Sequence, residues 1–202
     1  IANCLVGSEM CIRDSFRRES VKAVTLEGDA FHRYNRKEMK KELEKRHAAG
    51  DATFSHFSFD ANLLTELEDC FRNYSEKGTC RYRHYIHNSN EENLYGAKSG
   101  NFTKWKKFEE PSDLLFYEGL HGAVVNEEIN LARYADLKIG VVPVINLEWI
   151  QKIHRDTDSR GYSTEAVTDT ILRRMHAYVH CICPQFTDCL LYTSDAADEL
   201  TS

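Results

Sequence analysis

Apolar and polar residues first fall into a readable rhythm at Val21, where VKAVTLEGD alternates and then stops at Gly28-Asp29. That is the pattern of a strand that delivers a side chain to a sheet edge. Arg36 to Ala49 is rich in Lys, Glu and Ala and closes at Gly50, which predicts a helix ended by a C-terminal glycine. Leu63, Leu67, Cys70, Phe71 and Tyr74 fall on one helical face, with Asp60 near the start and Gly78 beyond the end. Cys80 to His87 (CRYRHYIH) reads as a strand, and a loop rich in Asn, Gly, Ser and Lys follows to about Lys107. Asp113 to Glu118 (DLLFYE) and Leu137 to Val142 (LKIGVV) are short, nearly continuous apolar runs. Such runs suit strands buried on both faces of a mostly parallel sheet. Leu147 to Ile153 and Glu165 to Ile182 read as helices. The second takes Ser163 or Thr164 as its N-cap and carries Val167, Ile171, Met175, Val179 and Ile182 on one stripe. Strands alternating with helices predict an α/β layered fold.

The two ends do not continue this pattern. Leu5 to Ser15 (LVGSEMCIRDS) and Cys189 to Glu199 (CLLYTSDAADE) have neither helical nor strand periodicity. Each reads like a frame translation of a transposon-type sequencing adaptor, the second from the reverse strand. The expectation is therefore a domain over 16–188, with 1–15 and 189–202 as non-native tails. Formal net charge is −6. Setting the ends aside removes Arg13 and the acids Glu9, Asp14, Asp195, Asp198 and Glu199, which leaves 25 basic and 27 acidic residues and a balance of −2. Neither value suits a binder of nucleic acid or of an anionic membrane. No apolar run has transmembrane length, and the expected compartment is the cytoplasm. The seven cysteines form no framework, as free thiols in a reducing compartment would not. His176, His180, Cys181 and Cys183 lack the second ligand pair that a structural zinc site takes, and the end of a buried helix is the plainer reading.

Chemistry gathers at three segment ends, and in open α/β sheets ligands bind beyond the carboxyl ends of the strands. EGDAFHRYNR brings Asp29, His32, Arg33 and Arg36 together. A carboxylate there either accepts a proton from a substrate hydroxyl, with His32 and Arg36 holding an anion, or caps the following helix. LLFYEGLHG sets Glu118 directly after a strand, where it either serves magnesium or bonds neighbouring backbone amides. EWIQKIHRDTDSRGYSTE gathers Lys152, Arg155 and Arg160 around Asp156, with Arg160-Gly161 interrupting the helix. The readings are a cationic loop that closes over a phosphate or a solvated helical face.

KIHRDTDSRGYSTE, EGDAFHRYNR, GDATFSHFSFDAN, LLFYEGLHGAVV and GVVPVINLEWIQKIHRD, in this order and spacing, resemble the phosphoribulokinase family of proteobacterial type. The resemblance covers essentially all of Phe16 to Asp188. It implies an α/β, P-loop NTPase-like layered fold with a mostly parallel sheet, here truncated at both ends. It also implies phosphorylation of ribulose 5-phosphate to ribulose 1,5-bisphosphate in the reductive pentose phosphate (Calvin) cycle, with ATP and Mg2+. By this resemblance Asp29 is the general base, His32, Arg36 and Arg160 bind the sugar phosphate, and Lys152, Arg155 and Asp156 are catalytic lid residues. Glu118 stands toward the magnesium, with Asp156 as a second candidate ligand. Arg18, Tyr85 and His87 match positions near an allosteric nucleotide site, and the family leads one to expect a homo-oligomer regulated by NADH or AMP. Uridine kinases share the fold but lack HFSFDAN and this form of the Arg-Asp lid; a nucleoside kinase and a sugar-phosphate-binding fragment without activity are the alternatives. One departure weighs heavily. Where the family has a glycine-rich phosphate loop this sequence reads IANCLVGSEMCIRDS, and no second glycine follows Gly7 at the required spacing. The 202 residues alone are therefore expected to be inactive.

Overall fold

The computed structural model describes residues 12–108, 110–141 and 145–193, without the side chains of 145–147, 159, 160, 188, 192 and 193. Its elements run α1 (12–18), β1 (Ala23–Glu27), α2 (Arg36–Ala48), α3 (Leu64–Lys77), β2 (Cys80–Tyr82), α4 (Ser89–Tyr95), β3 (Lys106–Phe108), β4 (Leu114–Glu118), β5 (Ile139–Val141), α5 (Ile145–Arg160), α6 (Thr164–Ala177) and β6 (Leu191–Thr193). β1 and β4 lie parallel and in register from Ala23↔Leu114 to Glu27↔Glu118. β5 and β6 are also parallel, and β2 and β3 are antiparallel. The α/β class and the parallel pairing agree with the alternation in sequence. Among the described residues no helix is long and apolar enough to cross a membrane.

The core forms where the alternating face of β1 meets the apolar face of α3. Val24 and Leu26 are buried from β1, and Leu64, Leu67, Cys70 and Phe71 from α3, in one cluster with Phe31, Val124 and Leu131. Leu67 is 0% exposed, and full burial of a leucine is worth about 1.5–3 kcal/mol. Phe71 meets the Tyr117 ring edge-on at 5.3 Å, which ties α3 to β4 as well. α3 stops at Gly78, whose φ of 66° is left-handed. α2 opens with a capping box in which Asn35 accepts from Lys37 and Glu38 amides and Glu38 accepts from the Asn35 amide.

Several expectations are corrected here. CRYRHYIH is a strand only to Tyr82; Arg83 leaves the ladder to bond carbonyls elsewhere, and pairing resumes at the Tyr85↔Phe102 bridge. The supposed loop contains α4, capped by Asn88 and stopped by Gly96 at φ 69°, and then β3. β4 is half-buried along its whole length, where burial on both faces was expected; β1 is its paired neighbour among the described residues. α5 runs without a break from Ile145 to Arg160, so Lys152, Arg155 and Asp156 stand on a helix and not on a loop. Gly161, at φ 69°, ends it. The stripe on α6 loses phase at a π-helical turn over Tyr178–Ile182, where the extra residue per turn exposes Val179 while Ile182 stays buried. β6, paired with β5, lies in the segment 189–202, and this pairing does not decide where the domain ends; Val142 lies outside the described residues.

Candidate active site

β1 and β4 reach their carboxyl ends side by side, and both ends continue as glycine. An added Cβ on Gly28 would lie 2.7 Å from the Gly119 Cα, and one on Gly119 would lie 2.6 Å from the Gly28 Cα. Real Cβ atoms do not approach backbone that closely, so both positions must be bare for the two strand ends to touch. This contact places Asp29 and Glu118 at one edge of the parallel pair. Asp29 then opens a short 3₁₀ turn (Gly28–Phe31) whose Ala30 and Phe31 are anchored in the core. Asn35 caps α2, and the Asp29 carboxylate is bound by His32 instead, so the capping alternative for Asp29 does not hold.

His32 is buried, and its protonation state follows from its neighbours. The Asn62 side-chain amide donates from Nδ2 to the carbonyls of His56 (2.9 Å) and Ser58 (2.8 Å), which fixes its Oδ1 as an acceptor. His32 Nδ1, 2.7 Å from that Oδ1, must carry a proton. His32 Nε2 lies 3.1 Å from Asp29 Oδ1, and a bare ring nitrogen would repel a carboxylate there. Both nitrogens are therefore protonated, and the pair is an imidazolium and a carboxylate. Burial favours the neutral form of His32, yet the hydrogen bond and charge of Asp29, with the bond to Asn62, hold its pKa above the ordinary value. Desolvation works to raise Asp29, but the hydrogen bond and charge of His32, with the charge of His87, bring it below the usual carboxylate range. His87 Nε2 stands 3.7 Å from the other Asp29 oxygen. Arg36 joins the same edge: its guanidinium donates to the His87 carbonyl (3.2 Å) and Ser99 Oγ (3.3 Å), and it packs on Gly100, whose φ is 78°.

Lys152, Arg155 and Asp156 form a second group. Asp156 is 5% exposed and accepts from Lys152 Nζ at 2.5 Å and Arg155 Nε at 3.1 Å. Burial, outweighing Asp156, leaves the Lys152 pKa below its ordinary value, and the positive Arg174 and Arg155 add to the effect. These three residues line a cavity of about 440 Å³ together with His56, Tyr162 and Arg174. His56 also packs on His32, ring centroid to centroid 4.9 Å, so it belongs to both groups.

The remaining sequence-derived residues are distributed as follows. Glu118, half-buried, ends β4 opposite Glu27. Arg160 ends α5, and its side chain lies outside the described residues. Tyr85 packs on His32 (6.4 Å) and His87 (4.9 Å), which puts it at the Asp29 cluster. Arg18 is on α1, with Ser15 and Glu19 as its partners. His56, Asn62, Arg83, His121 and Gln185 were not singled out in sequence. Arg83 donates 2.7 Å hydrogen bonds to the carbonyls of Ala30 and His32, which bracket the turn that carries Asp29. His121, with burial pushing its pKa down to about 4, bonds the Phe57 carbonyl and fixes the segment after His56. Gln185 ties the loop beyond β4 by bonds to Leu120 and Ala123. HFSFDAN and the cation in CRYRHYIH were the available signals for the first three.

Among the described residues no three or more His, Cys, Asp or Glu side chains are grouped to hold a metal ion, and His176 and His180 stack on each other at 4.2 Å. Magnesium carried in by a nucleotide asks for less: one or two carboxylates beside the phosphates and water. Glu118, half-buried at the end of β4, is one carboxylate of the kind such a metal takes. Asp156, with both oxygens on cations, is another only if the Lys152 and Arg155 bonds are exchanged.

A family model described as Phosphoribulokinase / Uridine kinase family matches residues 8–201. The chain belongs to the phosphoribulokinase / uridine kinase family. Within this family, Phosphoribulokinase 2 of Cereibacter sphaeroides is 68% identical over 173 residues, which are 86% of this chain and 59% of the relative. Phosphoribulokinase of Nitrobacter vulgaris is 61% identical over 173 residues, 86% of this chain and 60% of the relative. The solved phosphoribulokinase from Rhodobacter spheroides matches with a TM-score of 0.81 and 64% identity over 91% of this chain and 63% of its own. A D-glycerate 3-kinase from Cryptococcus neoformans, at 12% identity and a TM-score of 0.53 over 89% of this chain and 79% of its own, shares the fold alone. The chain thus spans about three fifths of the length of the curated family members it matches.

Proposed function

We propose that this chain carries the acceptor-binding and lid parts of a phosphoribulokinase that transfers the γ-phosphoryl group of MgATP to the C1 hydroxyl of ribulose 5-phosphate. The observation that carries the reading is the ionised Asp29 at the end of β1, held by the His32 imidazolium at 3.1 Å. In this reading Asp29 takes the C1 hydroxyl proton as the O1–phosphorus bond forms and the bond from phosphorus to the leaving ADP oxygen breaks. A loose transition state asks for position and charge neutralisation more than for a strong base, so a carboxylate of lowered pKa suffices. Arg36 holds the acceptor phosphate, with Arg160 as a further contact; His32, whose two N–H groups are on Asn62 and Asp29, contributes to the phosphate only its nearby positive charge. Lys152 and Arg155 serve the transferring phosphoryl group, Asp156 keeping both in place. Magnesium, when bound with ATP, neutralises phosphate oxygens, and Glu118 is the carboxylate set toward it. These 202 residues contain no glycine-rich phosphate loop, so on their own they bind the acceptor without turning over ATP.

The test is a chimera in which the 173 matching residues of Cereibacter sphaeroides Phosphoribulokinase 2 are exchanged for those of this chain. Phosphorylation of ribulose 5-phosphate by ATP supports the reading. A folded chimera that prefers uridine, or phosphorylates neither, refutes it.

A further inference from the structure

His56 stands where the Asp29 cluster and the lid cavity meet, and nothing in the mechanism above uses it. Its backbone is fixed from behind, because Asn62 Nδ2 holds the His56 carbonyl at 2.9 Å and His121 holds the next carbonyl, of Phe57, at 3.0 Å. Its ring packs on the His32 imidazolium at 4.9 Å and lines the cavity with Lys152, Arg155 and Asp156. Among the described residues neither ring nitrogen has a hydrogen-bond partner, and neither is sealed from solvent. A side chain on a backbone held this firmly, lining a cavity with both ring nitrogens unspent, suits a ligand contact better than a packing role.

Its surroundings decide which part of a ligand it meets. Burial first, then the positive charges of His32 and Arg174, push the His56 pKa down to about 3, with Asp29 opposing. His56 is thus a neutral imidazole with one donor and one acceptor. Such a group matches a hydroxyl or carbonyl oxygen. A phosphate dianion is better matched by the arginines. We propose that His56 hydrogen-bonds an uncharged oxygen, a hydroxyl or the keto group, of the sugar acceptor, and so selects which acceptors reach Asp29. The inference rests on the acceptor reading given under Proposed function and adds to it the residue that reads the sugar and not its phosphate.

Calorimetric titration of the 202-residue chain with ribulose 5-phosphate, and separately with inorganic phosphate, tests this. The variants are His56→Phe, which keeps a ring on His32 without nitrogens, and His56→Asn, which restores one neutral donor and one acceptor. His56→Phe is expected to weaken ribulose 5-phosphate binding by roughly 3–10-fold, the worth of one hydrogen bond, while phosphate affinity stays as in the unmodified chain. His56→Asn is expected to recover most of the loss. Should His56→Phe fail to fold, His56→Ala carries the same comparison. Unchanged ribulose 5-phosphate affinity in the Phe or Ala variant, or an equal loss for both ligands, overturns the role of His56 and leaves the acceptor reading standing. Failure of the unmodified chain to take up ribulose 5-phosphate overturns the acceptor reading itself, and this inference falls with it.

Discussion

Arg83 offers the sharpest test of how the Asp29 turn is held. Its guanidinium donates to the carbonyls of Ala30 and His32, both at 2.7 Å, and lies 3.6 Å from the Phe102 ring centroid and 4.6 Å from that of Trp105. Burial lowers its pKa to about 10, so it remains charged at neutral pH, and its desolvation is a standing cost. Replacing it by Met keeps the apolar stem and removes the fork. Each hydrogen bond from an ionised donor is worth roughly 1.5–3 kcal/mol net, and the ring contact adds about 0.5–2 kcal/mol. The desolvation cost that vanishes with the charge offsets part of this, so Arg83→Met should cost about 2–4 kcal/mol. For a chain of this size that lowers Tm by roughly 5–15 °C. Arg83→Lys, which keeps the charge without the planar fork, should fall between. Stability alone does not separate positioning from packing. The second readout is affinity for ribulose 5-phosphate well below Tm, where the freed turn lets Asp29 and His32 part and binding should weaken about tenfold. A melt within about 2 °C of the unmodified chain would refute the energetic argument. A lowered Tm with unchanged affinity would show that Arg83 supports the core and not the site.

Three further outcomes follow from the same geometry. In the active chimera Asp29→Asn should lower kcat by about 10²–10⁴-fold, the usual range of a general base, with full activity refuting the assignment. Gly119→Ala sets a Cβ against the Gly28 backbone and the Tyr117 hydroxyl, both at 2.6 Å, and should cost about 1–3 kcal/mol of stability by overpacking, measured by urea titration against the unmodified chain. The Asp29–His32 pair sets a pH window: the raised His32 pKa gives stability that is complete below its unfolded value of about 6.5 and is lost as pH rises through the folded value. The lowered Asp29 pKa gives stability present above its unfolded value of about 3.9 and lost as pH falls through the folded value. An NMR titration should therefore place His32 above about 6.5 and Asp29→Asn should bring it down; a His32 midpoint below that value would remove the ion pair.

What could be read from the sequence and what could not divide along the range of the forces involved. β1, α2 and α3 were legible because alternation, helical spacing and glycine stops are local, and the side chains that write those patterns also fill the core: Val24, Leu26, Leu67 and Phe71. α4 was missed although its signals, Asn88, Glu91 and Gly96, are equally local, because the polar composition around them reads as loop. The π turn after α6 leaves no local signal, since the phase of a helix end is decided by what it packs on.

The site divides in the same way, with a consequence for how it works. Asp29, His32 and Glu118 are visible because they stand at or just beyond strand ends, and Lys152 and Arg155 because their spacing is written along one helix. Arg83 and Asn62 act across the fold, 51 to 53 and 30 residues from their partners, and the need for them appears only when the charge on His32 is asked to persist while buried. An imidazolium in that place requires an acceptor on each nitrogen. Asn62 supplies one only because the His56 and Ser58 carbonyls forbid its amide to flip. The ionisation of Asp29 is thus set by a network whose last member is the backbone of His56, the residue that lines the cavity with Lys152, Arg155 and Asp156.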